Sequence, residues 1–198
     1  MPRSFFARPT LTVARDLLGR RLVRRVGGRR MSGRVVEVEA YIGPTDTACH
    51  GRSGVTRRNQ VLFGAPGQAY VYFAYGLHHL LNAVTEREGF PSAVLLRALV
   101  PEEGTAAMAR RRGTARRAPR PNWLAGGPAR LCQALDVDLS LDGEDLTRSE
   151  SLFIEAGEPV QARHVATGPR VGIDYAARRD RDAPWRFFVR GSLCLSGS

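Results

Sequence analysis

In the stretch VEVEAYIGPTDTACHG (36–51), Glu39 and Tyr41 stand two residues apart and His50 follows nine residues later. A carboxylate can take a proton from water, a phenol ring can stack on a flat partner, and an imidazole can bond that partner's edge. Alternation brings the first two together. Side chains along a strand point to opposite faces in turn, so Val36, Val38 and Ala40 share one side and Glu37, Glu39 and Tyr41 the other. From this pattern alone, Glu37 and Glu39 serve equally well as the solvated side of an edge strand.

Further residues could join them. Tyr70, Tyr72 and Tyr75 fall within six residues, a spacing that suits core packing as readily as ring stacking. Arg97 lies inside VLLRALV (94–100), a run apolar enough for a central strand. A charge buried there must be paired, and a carboxylate on a neighbouring strand is its natural partner. Asn82 in LLNAV (80–84) is an amide in an apolar strand and also needs partners. Taken together, these residues suit a site that stacks a flat ring between aromatics and delivers a polarised water.

The elements that must position them follow from periodicity and turn signals. TLTVARDLL (10–18) predicts a helix with Thr10 as N-cap and Gly19 as stop. Strands are expected over 20–26 and 34–42, turned by Gly27-Gly28, with a polar loop over 43–56. One or two helical turns over 57–63 precede two β segments in 68–85 that meet at Tyr75-Gly76. A central strand over 92–100, helices over 102–112 and 126–137, and a strand over 185–191 complete the reading. Irregularly interspersed helices and strands favour an α+β fold, a single domain on a curved, mostly antiparallel sheet with surrounding helices.

Composition narrows the partners. The 198 residues carry 30 basic against 19 acidic side chains, a net +11, and every basic residue is arginine. Such a charge makes a polyanion the leading partner. No apolar run of spanning length or signal-peptide pattern is seen, so the cytoplasm is the expected location and no membrane is expected. Three widely spaced cysteines, Cys49, Cys132 and Cys194, suggest reduced thiols, with neither a disulfide framework nor a metal site.

Several blocks, in order, resemble the alkyladenine (3-methyladenine) DNA glycosylase family: VEVEAYIGPTDTACHG, RRNQVLFGAPGQAYVYFAYGLHHLLNAV, VLLRALVPEEG, GGPARLCQAL, RVGIDY and FFVRGS. They span roughly residues 9–192. The resemblance implies a monofunctional, cofactor-free, monomeric enzyme of base-excision repair. It would flip alkylated or deaminated purines out of duplex DNA and hydrolyse the N-glycosidic bond, leaving an abasic site. Glu39 would activate the water and Arg97 help to hold it. Tyr41 would stack on one face of the base, with His50 and Tyr72 on the other, and the His50 amide would meet the base edge. Asn82 would crowd the 2-amino group of guanine. A protruding hairpin would enter the DNA, with Tyr72 as a wedge and Tyr75 lining it; Leu77 stands there where some members carry methionine. Arg97 would hold the Glu39 pKa low enough for a base.

Two other readings compete. A glycosylase with lyase activity needs an amine nucleophile; without lysine, only the α-amine of Pro2 after removal of Met1 could supply one. A non-enzymatic nucleic-acid-binding module would explain tyrosines and charge, but would give a buried Glu39–Arg97 combination no purpose.

Overall fold

The computed structural model describes residues 1–74, 76–114 and 122–196. In chain order the helices and strands are α1 (Arg3–Phe6), α2 (Thr10–Leu17), β1 (Arg21–Val26), β2 (Arg29–Ile42), β3 (Ala69–Ala74), β4 (His78–Val84) and β5 (Ser92–Glu103). Then come α3 (Thr105–Arg111), α4 (Pro128–Leu135), β6 (Leu152–Glu155), β7 (Val165–Gly168), α5 (Arg178–Arg181) and β8 (Arg186–Val189). The eight strands form one antiparallel sheet in the order β3-β4-β5-β2-β1-β6, with β8 joining β2 and carrying β7 on its other side. This is the expected α+β arrangement.

The long strand β2 decides the architecture. Along one edge it pairs β5 for most of its length; along the other its first half pairs β1 and its second half pairs β8. Glu37 and Glu39 therefore sit in the interior of the sheet and are fully buried, not on a solvated edge. The pairing of β2 with β5 is irregular on both sides of Glu37: Val35 faces Leu99, Glu37 faces Ala98 and Val38 faces Leu96. Val36 and Arg97 are thus left without a partner in the register. Bulges of this kind bend a strand and re-aim a side chain, often beside a site.

Apolar helix faces close the sheet. Val13, Ala14 and Leu17 of α2, and Leu131, Cys132, Ala134 and Leu135 of α4, join Val35, Val38, Leu96 and Leu99 in the main core. The helix over 10–17 forms as predicted and is stopped by Gly19 at φ +83. Thr10 is not its N-cap. It is the first helical residue, and its N–H and hydroxyl both donate to the Glu86 carboxylate, which satisfies a helix-start amide from across the fold. The helix expected over 102–112 starts at Thr105, because Glu102 and Glu103 extend β5 to meet Arg21 and Arg30 on neighbouring strands. Residues 115–121, in the basic stretch ARRAPRPNW (115–123), lie outside the described residues. Among the described residues no helix is long and apolar enough to cross a membrane.

Candidate active site

The bulged segment of β5 lets one guanidinium reach two carboxylates. Arg97 Nη1 donates to Glu39 Oε2 at 3.1 Å and Nε donates to Glu37 Oε1 at 3.2 Å. The sequence expectation that Arg97 must find a carboxylate on an adjacent strand is met twice. Ser196 tightens the group, its N–H donating to Glu37 Oε2 at 2.6 Å and its hydroxyl to Glu37 Oε1 at 2.7 Å.

Glu39 is held by three donors. Tyr41 Oη donates to Oε2 at 2.9 Å, Arg97 adds a second bond to that oxygen, and the Val171 N–H donates to Oε1 at 2.7 Å. A carboxylate oxygen accepts at two lone-pair sites, so Oε1 keeps one for a further donor such as water. Arg97 acts on the Glu39 pKa in the expected, lowering direction, but it does not act alone. Burial outweighs Arg97, the Val171 amide and the Tyr41 hydroxyl, and the pKa is raised above the ordinary carboxylate value. Burial and the Glu39 charge likewise push the Tyr41 phenol well up, so it stays protonated and can donate.

In front of this group lies a cavity of about 450 Å³ whose wall includes Tyr41, His50, Tyr72, Asn82, Arg97 and Val171. The alternating residues Tyr70 and Tyr72 of β3 turn toward it, with Leu80 and Asn82 of β4 beside them. Tyr70 is core, as its spacing allowed, and shares a hydrogen bond of 3.0 Å with His50 Nδ1. Tyr72 lies edge-on to the His50 ring, 4.5 Å between centroids. Burial in the surrounding protein and the nearby Arg58 charge lower the His50 pKa, which favours the neutral ring. Asn82 is buried, and its Nδ2 donates to the Tyr70 carbonyl at 3.0 Å, which fixes the amide against the cavity.

The turn between β3 and β4 begins after Ala74, which pairs with His78. Leu77 in that turn is 73% exposed. Tyr75 lies outside the described residues.

Some contributors carried no signal as single residues. Arg58 places its guanidinium 5.9 Å from the Tyr72 ring centroid and bonds the Phe73 carbonyl. Val171 acts through its backbone, which no side-chain pattern can reveal. Glu37, read only as a possible surface residue, proves to be the second carboxylate on Arg97. The RVGIDY block pointed to the right segment without saying what it does.

Comparison with known proteins gives the family. The family model for methylpurine-DNA glycosylase matches residues 4–193. A protein of Methanocella arvoryzae provisionally named 3-methyladenine DNA glycosylase is 47% identical over 99% of this chain and 95% of its own length. Similarly named proteins of Carboxydothermus hydrogenoformans and Myxococcus xanthus are 43% and 44% identical, each over 99% of this chain and over 98% and 93% of their own lengths.

Proposed function

This chain belongs to the methylpurine-DNA glycosylase family, and we propose that it excises alkylated purines from duplex DNA by flipping the nucleotide and attacking its sugar with a Glu39-activated water. That it is a hydrolytic 3-methyladenine DNA glycosylase follows from the family. The observation that supports the detailed mechanism is a buried carboxylate whose three donors, Tyr41, Arg97 and Val171, all line an aromatic cavity of purine-admitting size, with Glu39 itself behind that wall.

A glycosidic bond cannot be attacked inside the stack, so the target nucleotide must be extruded into a pocket. Alkylation at a ring nitrogen makes the purine cationic. The electron-rich faces of Tyr41 and Tyr72 then favour it over a normal base, by roughly 0.5–2 kcal/mol per contact. As the base leaves, positive charge grows on the sugar. Ionised Glu39 stabilises that charge and takes the proton of the attacking water, while Arg97 helps to orient it. Asn82, fixed at the cavity wall, crowds the 2-amino group of guanine and so limits attack on the normal base without barring the more labile 7-methylguanine. The geometry favours Tyr72 as a stacking residue, since it packs against His50 in the cavity wall. The wedge role falls better to the β3–β4 turn, where Leu77 is exposed. Release of free 3-methyladenine and 7-methylguanine from methylated duplex DNA tests the activity; a panel of single lesions with hypoxanthine and ethenoadenine defines its range. Binding without release would sink the reading.

Tyr72→Ala is expected to weaken the flipped state by about 1–3 kcal/mol, the value of one stacked base. A fluorescent base analogue at the lesion reports the flipped fraction, and an equal signal in the variant removes Tyr72 from the stack. DNA affinity is expected to fall with salt, with a log–log slope of about −0.9 for each phosphate neutralised. A flat response would remove the arginine excess from DNA binding.

The pH dependence should differ between lesions. A cationic base leaves without gaining a proton, so 3-methyladenine excision needs only ionised Glu39. Its rate falls as acid protonates Glu39 and stays level toward mild base. Because burial raises this pKa, the acid limb lies above the ordinary carboxylate value. A neutral base such as hypoxanthine leaves poorly unless a ring nitrogen is protonated, so its excision should also fall on the basic side. Single-turnover rates for both lesions from about pH 5 to 9 check this; identical profiles would count against it.

A further inference from the structure

Arg170 takes no part in the chemistry proposed above, yet its side chain is completely buried at the back of the site. Its guanidinium grips Asp46 with two bonds, Nη1 to Oδ2 at 2.6 Å and Nη2 to Oδ1 at 2.8 Å. Nη1 also donates to the Ala40 carbonyl at 2.9 Å, the backbone unit between Glu39 and Tyr41. The planar group lies between two rings, 4.7 Å from the Tyr41 centroid and 4.9 Å from that of Trp185. The next residue, Val171, gives Glu39 its backbone bond.

Asp46 extends the grip to the loop that carries His50. Its Oδ2 accepts from the Ile42 N–H at 3.2 Å and its Oδ1 from the Ala48 N–H at 3.0 Å. One buried ion pair thus touches the strand bearing Glu39 and Tyr41, the loop bearing His50, and the segment whose amide orients Glu39. A buried pair is weak evidence for stability, because well-packed apolar residues often replace one at no loss. This one even leaves Arg170 Nε buried without a hydrogen bond. Its contacts instead converge on groups whose relative placement sets the reaction.

We propose that Arg170, through its pair with Asp46, is a positioning residue that locks the Tyr41 ring, the His50 loop and the Val171 amide in one arrangement around Glu39. The inference rests on the roles proposed above for Glu39 and Tyr41. A planar, bidentate, ring-stacked cation is a task for arginine and not for lysine, so Arg170→Lys should be impaired although it keeps the charge.

The test measures single-turnover excision of 3-methyladenine from a defined duplex across about pH 5 to 9, for Arg170→Lys, Arg170→Gln and Asp46→Asn. Rates are taken per folded molecule, with folding followed by circular dichroism and melting. Affinity is measured on a duplex carrying a stable abasic-site analogue. Misplacement by about 1 Å can cost about 10²-fold in rate, and a loss of that order is expected for Arg170→Gln with unchanged affinity. Its acid limb should also move up. The Val171 amide and the Tyr41 hydroxyl that favour the Glu39 anion would drift away, while the other charged groups around it (Arg97 from β5 and Glu37 through the shared Arg97) remain. Arg170→Lys should recover part of the rate. A folded Arg170→Gln with the normal rate and acid limb overturns the proposal, as does a loss accounted for wholly by its unfolded fraction. If Arg170→Gln does not fold, Asp46→Asn and Arg170→Lys are judged by the same two readouts. Glu39→Gln run alongside separates the levels: if it stays active, the Glu39 mechanism fails; if it is inactive while the Arg170 and Asp46 variants are normal, only the positioning role fails.

Discussion

Glu39→Gln is expected to bind lesion-containing DNA normally and to lose about 10²–10⁴-fold in excision rate, the usual worth of a positioned general base. The substitution is close to isosteric, and the wall that receives the purine is built from other residues, Tyr41, Tyr72 and Asn82 among them. Arg97 keeps Glu37 and Ser196 as partners, so no charge is orphaned. What goes is the lone pair that takes the water's proton and the negative charge facing the developing sugar cation. An amide oxygen can still bond the Val171 N–H but is far too weakly basic to deprotonate water. Single-turnover excision of 3-methyladenine, with binding to the same duplex measured in parallel, decides the matter. A rate near that of the unaltered protein would remove Glu39 from the chemistry.

Arg97→Met is expected to damage folding as well as activity. Taking one partner from a buried ion pair leaves an uncompensated charge and costs about 3–5 kcal/mol. For a chain of this size that lowers Tm by roughly 6–20 °C. Glu37 is the less exposed to this loss, since Arg186 lies 3.4 Å away and Ser196 bonds both its oxygens. Glu39 has no other ion-pair partner among the described residues and bears most of it. The effect should depend on pH. The Glu39 pKa is already raised by burial, and without Arg97 it rises further. A carboxyl whose folded pKa exceeds its unfolded value costs nothing while protonated in both states; it destabilises the fold increasingly as pH rises above the unfolded pKa, and in full once pH passes the folded pKa. The Tm deficit against the unaltered protein should therefore be large under mildly basic conditions and shrink toward acid. Equal deficits at both ends, or none, would show that Arg97 is not the counter-charge that Glu39 depends on.

The chain itself determined much of this. Alternation in VEVEAY put Glu39 and Tyr41 on one face, and both lie together with a hydrogen bond between them. The apolar run around Arg97 required a buried counter-charge, and one was there. Turn glycines and apolar periodicity marked most strands, including β3 and β4, and the helices over 10–17 and 128–135. The ordered motif blocks were enough to suggest the family. These are local properties, set by the two-residue period of a strand, the helix period and the cost of burying an unpaired charge.

Other features depended on which distant segments meet. Whether Glu37 and Glu39 face water or the interior turned on β5 and β8 both pairing with β2. An alternating strand reads the same at an edge or at the centre of a sheet. The helix start at Thr10 is satisfied by Glu86, far along the chain, so no local capping pattern could disclose it. The net shift of the Glu39 pKa was not legible, because the partner charge was visible in sequence whereas the depth of burial opposing it is a property of the whole packed domain. Arg170, one arginine among 30 in composition, acquires its place only when residues 40, 41, 46 and 185 close around it.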